Sequence, residues 1–193
     1  MGDDLSGERA EVHVAAAAVL DFWFDELTPA QHFARDEGLD RLIAAQFGRL
    51  RDRVLATRAE RWRDEPATLL AAVILIDQFS RNIHRGSAEA FAGDRVAQAL
   101  TMHAIDHGWD ADLPDQARHF LYMPLMHAED RAMQALSLEK FATLSNPETL
   151  DFARQHAEVI DRFGRFPGRN EALGRRSTDE EFAWLSRPGG GAW

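Results

Sequence analysis

The sequence predicts an all-α protein, folded as an antiparallel stack of about eight helices joined in hairpins. Apolar residues recur at helical spacing along most of the chain, whereas the alternation of period two that marks strands is absent. Short connections between the predicted helices favour antiparallel neighbours. We expect one helical domain over residues 11–186, between a flexible N-terminus (residues 1–10) and a flexible C-terminal tail (residues 187–193).

The first four helices follow from apolar stripes and their boundary residues. We predict them over residues 11–27, residues 36–61, from 66 to between 83 and 86, and from 88 or 94 to 107. The stripe of the second consists of Leu39, Ile43, Phe47, Leu50 and Val54. Pro66 suits the first turn of the third, whose run LLAAVILI predicts the most buried helix. Gly108 is the expected cap of the fourth.

The last four helices begin at recognisable caps. Pro114 opens the fifth, which Pro124 bends or ends, and the sixth covers residues 129–144. Asn146 and Pro147 start the seventh, which ends near residue 163. A capping box opens a short eighth helix, formed by Ser177 with Glu180 or by Thr178 with Glu181. We expect the tail after it to be mobile, with Trp193 as a side chain able to dock.

Composition limits the partners and the chemistry. A net charge of -10 repels nucleic acid and anionic membrane surfaces, so we expect neither as a partner. The chain has no cysteine, which excludes thiol nucleophiles and cysteine-based zinc sites and fits a reducing compartment. Its start is acidic where an export signal is basic, and its longest apolar run is too short to span a bilayer. We therefore expect a soluble, cytoplasmic protein.

Three segments interrupt the helical pattern with polar residues, and the first is DQFSRNIHRG (residues 77–86). Asp77 follows the apolar run directly and shares a helix face with Arg81. A carboxylate there loses hydration and needs a cation or several hydrogen bonds, which Arg81 can supply. The pair is either a structural ion pair at the helix end or an acid oriented by an arginine.

The second segment is FLYMPLMHAEDRAMQ (residues 120–134), which contains Tyr122, His127, Glu129 and Asp130. Acids at the start of a helix are favoured by its dipole without any function. The functional alternative is a histidine–carboxylate site for acid–base chemistry. The spacing matches no established metal motif, so we predict neither a metal nor a cofactor.

Two further histidines, His103 and His107, lie four residues apart and could ligate a metal. They also lie near a helix C-terminus, where histidine is favourable. We interpret them in this second way.

The third segment is RFGRFPGRNEALGRRST (residues 162–178). Residues 162–176 contain five arginines and one acid, Glu171, a net charge of +4 within an acidic chain. Guanidinium groups bind phosphates and carboxylates with two parallel hydrogen bonds, so a flexible loop of this kind suits anion recognition. Alternatively, these arginines pair with acids such as Asp77, Glu129 and Asp130 and fasten the last helices to the core.

Four segments together resemble the bacterial family called domain of unknown function 924. They are LDFWF (residues 20–24), DQFSRNIHRG, FLYMPLMHAED and FGRFPGRNEALGRRST, and the similarity extends over about residues 19–185. The resemblance implies an all-α, tetratricopeptide-like fold and no established activity. The family usually has histidine where this chain has Gly168 and glutamate where it has Arg176, so a catalytic role for that histidine would not carry over.

Two functional hypotheses follow. In the first, the three segments converge on a pocket that binds a small phosphate or carboxylate compound. The predicted ligand-binding residues are Arg81, Asn82, Tyr122, Arg165, Arg169, Asn170 and Arg175, and the candidate catalytic residues are His127, Glu129 and Asp77. In the second, the protein is a non-catalytic interaction module that binds a peptide or partner helix, and the polar motifs are structural.

Overall fold

The computed structural model describes the backbone of residues 2–187 and the side chains of residues 7–187. This part of the chain is helical and has no strand, which confirms the predicted all-α class. Its α-helices are α1 (Gly2–Asp21), α2 (Pro29–His32), α3 (Glu37–Ala56), α4 (Pro66–Val73), α5 (Ser80–Ile83), α6 (Asp94–Asp106), α7 (Asp115–Met126), α8 (Arg131–Phe141), α9 (Pro147–Phe163) and α10 (Asp179–Leu185). The predicted docking of Trp193 concerns a residue outside the described ones.

The helices are divided between two compact units. Among the described residues, the first consists of residues 2–85 and 89–113, and the second of residues 86–88 and 114–187. In the first unit, α4 continues into a fully buried apolar stretch, as the run LLAAVILI predicts. In the second, Val159, Ile160 and Phe166 form a buried cluster against which Phe163 and Trp184 pack. The single domain and the tetratricopeptide-like arrangement stay predictions.

Two π-helical segments, Phe22–Glu26 and Ile74–Phe79, were not predicted from the apolar pattern. The first ends with a hydrogen bond from the Leu27 N–H to the Phe22 carbonyl, five residues back. The segments contact each other through aromatic rings, because Phe79 lies 6.0 Å from Phe22 and 5.4 Å from Trp23 between ring centroids. The widened turns thus lie in one aromatic core of the first unit.

Several helix ends follow the predicted caps. Pro66 begins α4, Gly108 adopts a left-handed φ of 70° after α6, and the Asn146 side chain accepts a hydrogen bond from the Glu148 N–H. Thr178 and Glu181 form the capping box of α10. These ends were predictable because each depends on residues close together in sequence.

Other boundaries correct the sequence interpretation. The first helix begins at Gly2 rather than at residue 11, and its early turns pair Arg9 with Asp64 at 3.5 Å. Helix α3 ends at Ala56 rather than at residue 61, because Arg58 and Ala59 adopt left-handed backbone conformations with φ of 52° and 57°.

Three more corrections concern α3, α7 and α8. Leu50, predicted in the apolar stripe of α3, is only half-buried, and Arg51 is buried beside it. Pro124, predicted to bend or end its helix, lies inside α7 and does not end it, whereas the bend stays a prediction. Helix α8 covers Arg131–Phe141, a shorter span than the predicted residues 129–144.

Candidate functional site

The segment of residues 77–86 begins in the first unit, where Asp77 is completely buried. Its Oδ1 lies 2.9 Å from Arg81 Nη1, and its Oδ2 accepts a hydrogen bond of 2.5 Å from Gln78 Nε2. Arg81 also contacts Asp94 Oδ1 through Nη2 at 3.1 Å. Burial opposes the charge on Arg81, but the charges of Asp77 and Asp94 raise its pKa above the ordinary value. Arg81 therefore connects Asp77, in the π-helical segment Ile74–Phe79, with Asp94 at the start of α6.

The rest of this segment is fastened to α3. Asn82 Nδ2 donates to Asp40 Oδ1 at 2.8 Å, and Arg85 donates to both oxygens of the same carboxylate at 2.8 Å. Burial alone would raise the pKa of Asp40, but the hydrogen bonds from Arg85 and Asn82 lower it. The buried Arg51 donates from Nε to the fully buried Ser80 Oγ at 2.8 Å. Sequence reasoning missed Asp40, Arg51 and Arg85, since their partners lie 29 to 45 residues away.

The second and third polar segments meet within the second unit. Arg175 donates from Nη1 to Glu129 Oε2 at 2.7 Å and from Nη2 to Glu129 Oε1 at 2.9 Å. Glu129 Oε1 also accepts the Phe166 N–H at 2.8 Å, and the Phe166 carbonyl accepts from Arg175 Nη2 at 3.0 Å. This bidentate pair joins the loop before α8 to the loop after α9.

A second bidentate pair joins the same loop to α10. Arg165 donates from Nε and Nη2 to the two carboxylate oxygens of Glu181 at 2.7 and 2.8 Å. Asn170 Nδ2 donates to Glu181 Oε2 at 3.3 Å and to Ser177 Oγ at 3.0 Å. The hydrogen bond from Arg165 is the main cause that lowers the pKa of Glu181 to about 2. The capping box was the sequence signal that pointed to Glu181, although not as part of a site.

Arg169 lies buried next to these pairs. Its Nη2 donates to the His127 carbonyl at 3.0 Å, and its guanidinium lies 4.4 Å from the centroid of the Phe166 ring. The His127 ring is buried, and its centroid lies 6.2 Å from the centroid of the His156 ring. We call the group of Glu129, Arg165, Arg169, Asn170, Arg175 and Glu181 the arginine clasp.

The clasp carries more positive than negative charge. Its three arginines and two glutamates give a formal charge of +1, inside a chain of -10. Burial would raise the pKa of Glu129, but the hydrogen bonds from Arg175 and the Phe166 N–H outweigh it, so the pKa is lowered. Both carboxylates of the clasp are therefore ionised at neutral pH.

The remaining predicted residues have other surroundings. Tyr122 is buried with its ring 6.0 Å from that of Phe141, and Asp130 caps α8 by accepting the Met133 N–H at 2.9 Å. Asp77, Arg81 and Asn82 belong to the first unit, whereas His127, Glu129 and the predicted arginines of the third segment belong to the second. The single pocket formed by all three segments stays a prediction.

A surface groove of about 270 Å³ lies elsewhere, in the first unit. It is lined by Glu8, Arg9, Val12, His13, Arg61, Asp64, Glu65 and Thr68, none of which the sequence indicated as a site residue. Across the residues that the structure describes, no group of three or more metal-ligating side chains is arranged to hold a metal ion. No described helix is long and apolar enough to cross a bilayer.

The fold and the paired motifs define an all-α protein in which arginines and carboxylates fasten loops to helices. Residues 19–189 match the family model described as "Bacterial protein of unknown function (DUF924)", and the chain belongs to this family. It is similar to a solved structure, the protein of unknown function ATU0120 from Agrobacterium tumefaciens. The two are 33% identical with a TM-score of 0.85, over 90% of this chain and 98% of that one. No curated protein matches the chain.

Proposed function

We propose that the second unit binds a small anionic compound, with a phosphate or carboxylate group, at the arginine clasp. The observation that carries the proposal is the excess positive charge of a cluster whose arginines are held in fixed orientations. Preorganised guanidinium groups lose little conformational entropy when they bind a further anion.

The donors of Arg165 and Arg175 support this proposal. A guanidinium group has five N–H donors. Arg165 uses Nε and Nη2 for Glu181 and for the Arg176 carbonyl, and its Nη1 makes no hydrogen bond to a described residue. About a quarter of each of the two arginine side chains is exposed, at 29% and 23%. The outward N–H groups would hold the anion.

Proton transfer by Glu129 is not part of the proposal. A general acid or base works best when its pKa lies near the operating pH. The pKa of Glu129 is lowered, away from neutrality, and both of its oxygens accept hydrogen bonds from Arg175. The geometry therefore favours binding over catalysis at this carboxylate.

Thermal unfolding of the full chain with inorganic phosphate, pyrophosphate or succinate, at constant ionic strength, tests the proposal. A ligand that binds only the folded protein stabilises it by about 2.7 kcal/mol at a concentration of 100 Kd. We expect a saturable rise in Tm with at least one of these anions. A Tm that stays the same when each of these anions replaces chloride at constant ionic strength would contradict the proposal.

Two variants identify the site. Arg165→Lys keeps a charge beside Glu181 but removes Nη1, so we expect the anion-dependent rise in Tm to disappear. Arg154→Ala is the matched control, because Arg154 forms an exposed pair with Asp151 on α9. It should leave the rise unchanged. An equal rise in the Arg165→Lys variant would place the anion elsewhere.

A second candidate function is a non-catalytic interaction module in which the clasp is purely structural. The two bidentate pairs favour it, because each carboxylate of the clasp is already matched by a guanidinium. Strong destabilisation on removal of a clasp arginine, without any anion-dependent rise in Tm, would select this candidate.

A further inference from the structure

His103, in the last turn of α6, and His107, the residue that follows α6, lie against each other in the first unit. The rings of His103 and His107 are stacked, with centroids 4.1 Å apart and an interplanar angle of 30°. The ring of Trp109 contacts both, at centroid distances of 5.4 Å from His103 and 5.1 Å from His107. The spacing of four residues places both imidazoles on one helix face.

The hydrogen bonding fixes one of the two rings for ligation. His107 Nδ1 lies 2.8 Å from the His103 carbonyl, which can only accept, so Nδ1 carries the proton. The Nε2 of His107 then has its lone pair available, as in metal sites where a backbone carbonyl holds the other ring nitrogen. A ring lone pair lies in the plane of the ring, so the stacked rings do not yet point at one ion. The ring nitrogens of His103 make no hydrogen bond to a described residue, so rotation of this ring out of the stack brings its lone pair towards an ion held by the exposed His107.

The stretch of sequence that contains these histidines is acidic, which favours a cation. Residues 96–113 contain three aspartates, Asp106, Asp110 and Asp112, and neither arginine nor lysine. A negative local potential raises the concentration of cations near the surface. The net charge of this stretch is negative, whereas that of the arginine clasp is positive.

We propose that His103 and His107 together bind a divalent transition-metal ion of the borderline class, such as Cu²⁺, Zn²⁺ or Ni²⁺. Imidazole nitrogen suits these ions, whereas Mg²⁺ and Ca²⁺ prefer oxygen ligands. Because the described residues provide no third ligand in a suitable arrangement, water completes the coordination. The site goes beyond the proposed anion binding, since it lies in the other unit and takes a cation.

The test is a titration of the untagged full chain with Cu²⁺, followed by tryptophan emission. Bound Cu²⁺ quenches a nearby indole, so we expect saturable quenching that disappears in a Trp109→Phe variant. Either His103→Gln or His107→Gln should weaken Cu²⁺ binding by at least about tenfold, measured by calorimetry. Mg²⁺ should produce no heat and no quenching.

The matched control is His13→Gln, because His13 is also an exposed helical histidine, with Nε2 3.3 Å from Glu65 Oε1. It should leave Cu²⁺ affinity unchanged. A His107→Gln variant that is folded by circular dichroism and binds Cu²⁺ as tightly as the original chain would overturn the proposal. So would an equal loss in the His13→Gln variant.

Discussion

At the scale of single residues, the arginine–carboxylate pairs differ in how much they stabilise the fold. Glu129 accepts hydrogen bonds from Arg175 at both oxygens while only about a quarter of its side chain is exposed, at 26%. Arg154 and Asp151 form a pair of equal length, 2.7 Å, but both side chains are 62% exposed. Water screens the exposed pair and hydrates its members when the pair is broken, so it contributes little.

We expect Arg175→Ala to lower the free energy of unfolding by about 1–3 kcal/mol, because Glu129 loses charged hydrogen bonds in a partly buried position. Arg154→Ala should cost about 0–1 kcal/mol. Urea unfolding at neutral pH measures both values. Equal losses would mean that the clasp stabilises the chain no more than a surface pair does.

His32 is a second residue whose role the structure defines. Its Nε2 lies 2.7 Å from the Trp23 carbonyl in the π-helical segment Phe22–Glu26, and its ring is stacked on Trp23 at 4.5 Å. His32→Phe keeps a ring but removes the donor, so we expect a loss of about 1–3 kcal/mol in the free energy of unfolding. The exposed His13, changed to Phe, should alter stability by less than about 0.5 kcal/mol. If His32→Phe leaves the free energy of unfolding unchanged, this hydrogen bond does not hold the segment in place.

At the scale of elements, the start of α6 packs closely on the π-helical segment Ile74–Phe79. A Cβ added to Gly93, the residue before α6, would lie 2.3 Å from Ile76 Cγ2 and 3.2 Å from the Ile76 carbonyl oxygen. Real Cβ atoms do not come this close to another atom. Glycine is therefore required at position 93 by the packing of two elements.

We expect Gly93→Ala to destabilise the protein by about 1–3 kcal/mol, because the helix must move away from the segment. Gly48→Ala is the control, since Gly48 lies within α3 and a Cβ there meets nothing within 4 Å. It should stabilise the protein by about 0.5–1 kcal/mol, because alanine favours the helix more than glycine does. Thermal or urea unfolding of the two variants should therefore give shifts of opposite sign, and shifts of the same sign would contradict the packing argument.

At the scale of the whole molecule, stability should fall with acid in two steps. Burial lowers the pKa of His32 from 6.5 and, with the charge of Arg51, also that of His84. The unfolded chain then binds more protons below about pH 6.5, so stability decreases as the pH falls through that value. The pKa of Glu181 is about 2 rather than 4.5. Ionised Glu181 therefore stabilises the folded chain fully above about pH 4.5, and this stabilisation is lost as the pH falls towards 2.

The Tm measured between pH 7.5 and pH 3 tests both steps. His32→Phe should reduce the loss near pH 6.5, and Glu181→Gln should reduce the loss below pH 4.5. If each variant retains the full acid dependence of the original chain, these groups are not its cause.

Helix ends show how far local sequence can be interpreted. Asn146, Thr178 and Gly108 were recognised because a cap depends on atoms within a few residues of one another. A widened turn shifts the helical phase of the residues that follow it. The segment Ile74–Phe79 was missed because it continues a run that is apolar on every face, which hides this shift. The burial of Arg51 was missed for another reason, since Ser80 and the Glu89 carbonyl, which accept its hydrogen bonds, lie far along the chain.

The sequence by itself determined the helical class, most helix caps and the ion pair between Asp77 and Arg81. It also determined the family, through four short motifs. Each of these depends on residues that lie within a few positions of one another. Only the tertiary structure decided which arginine meets which acid. Arg175 reaches Glu129 across 46 positions and Arg165 reaches Glu181 across 16, and the intervening helices must pack before either pair can form. Side-chain pairing at such separations depends on the packing of whole elements, which no local pattern encodes.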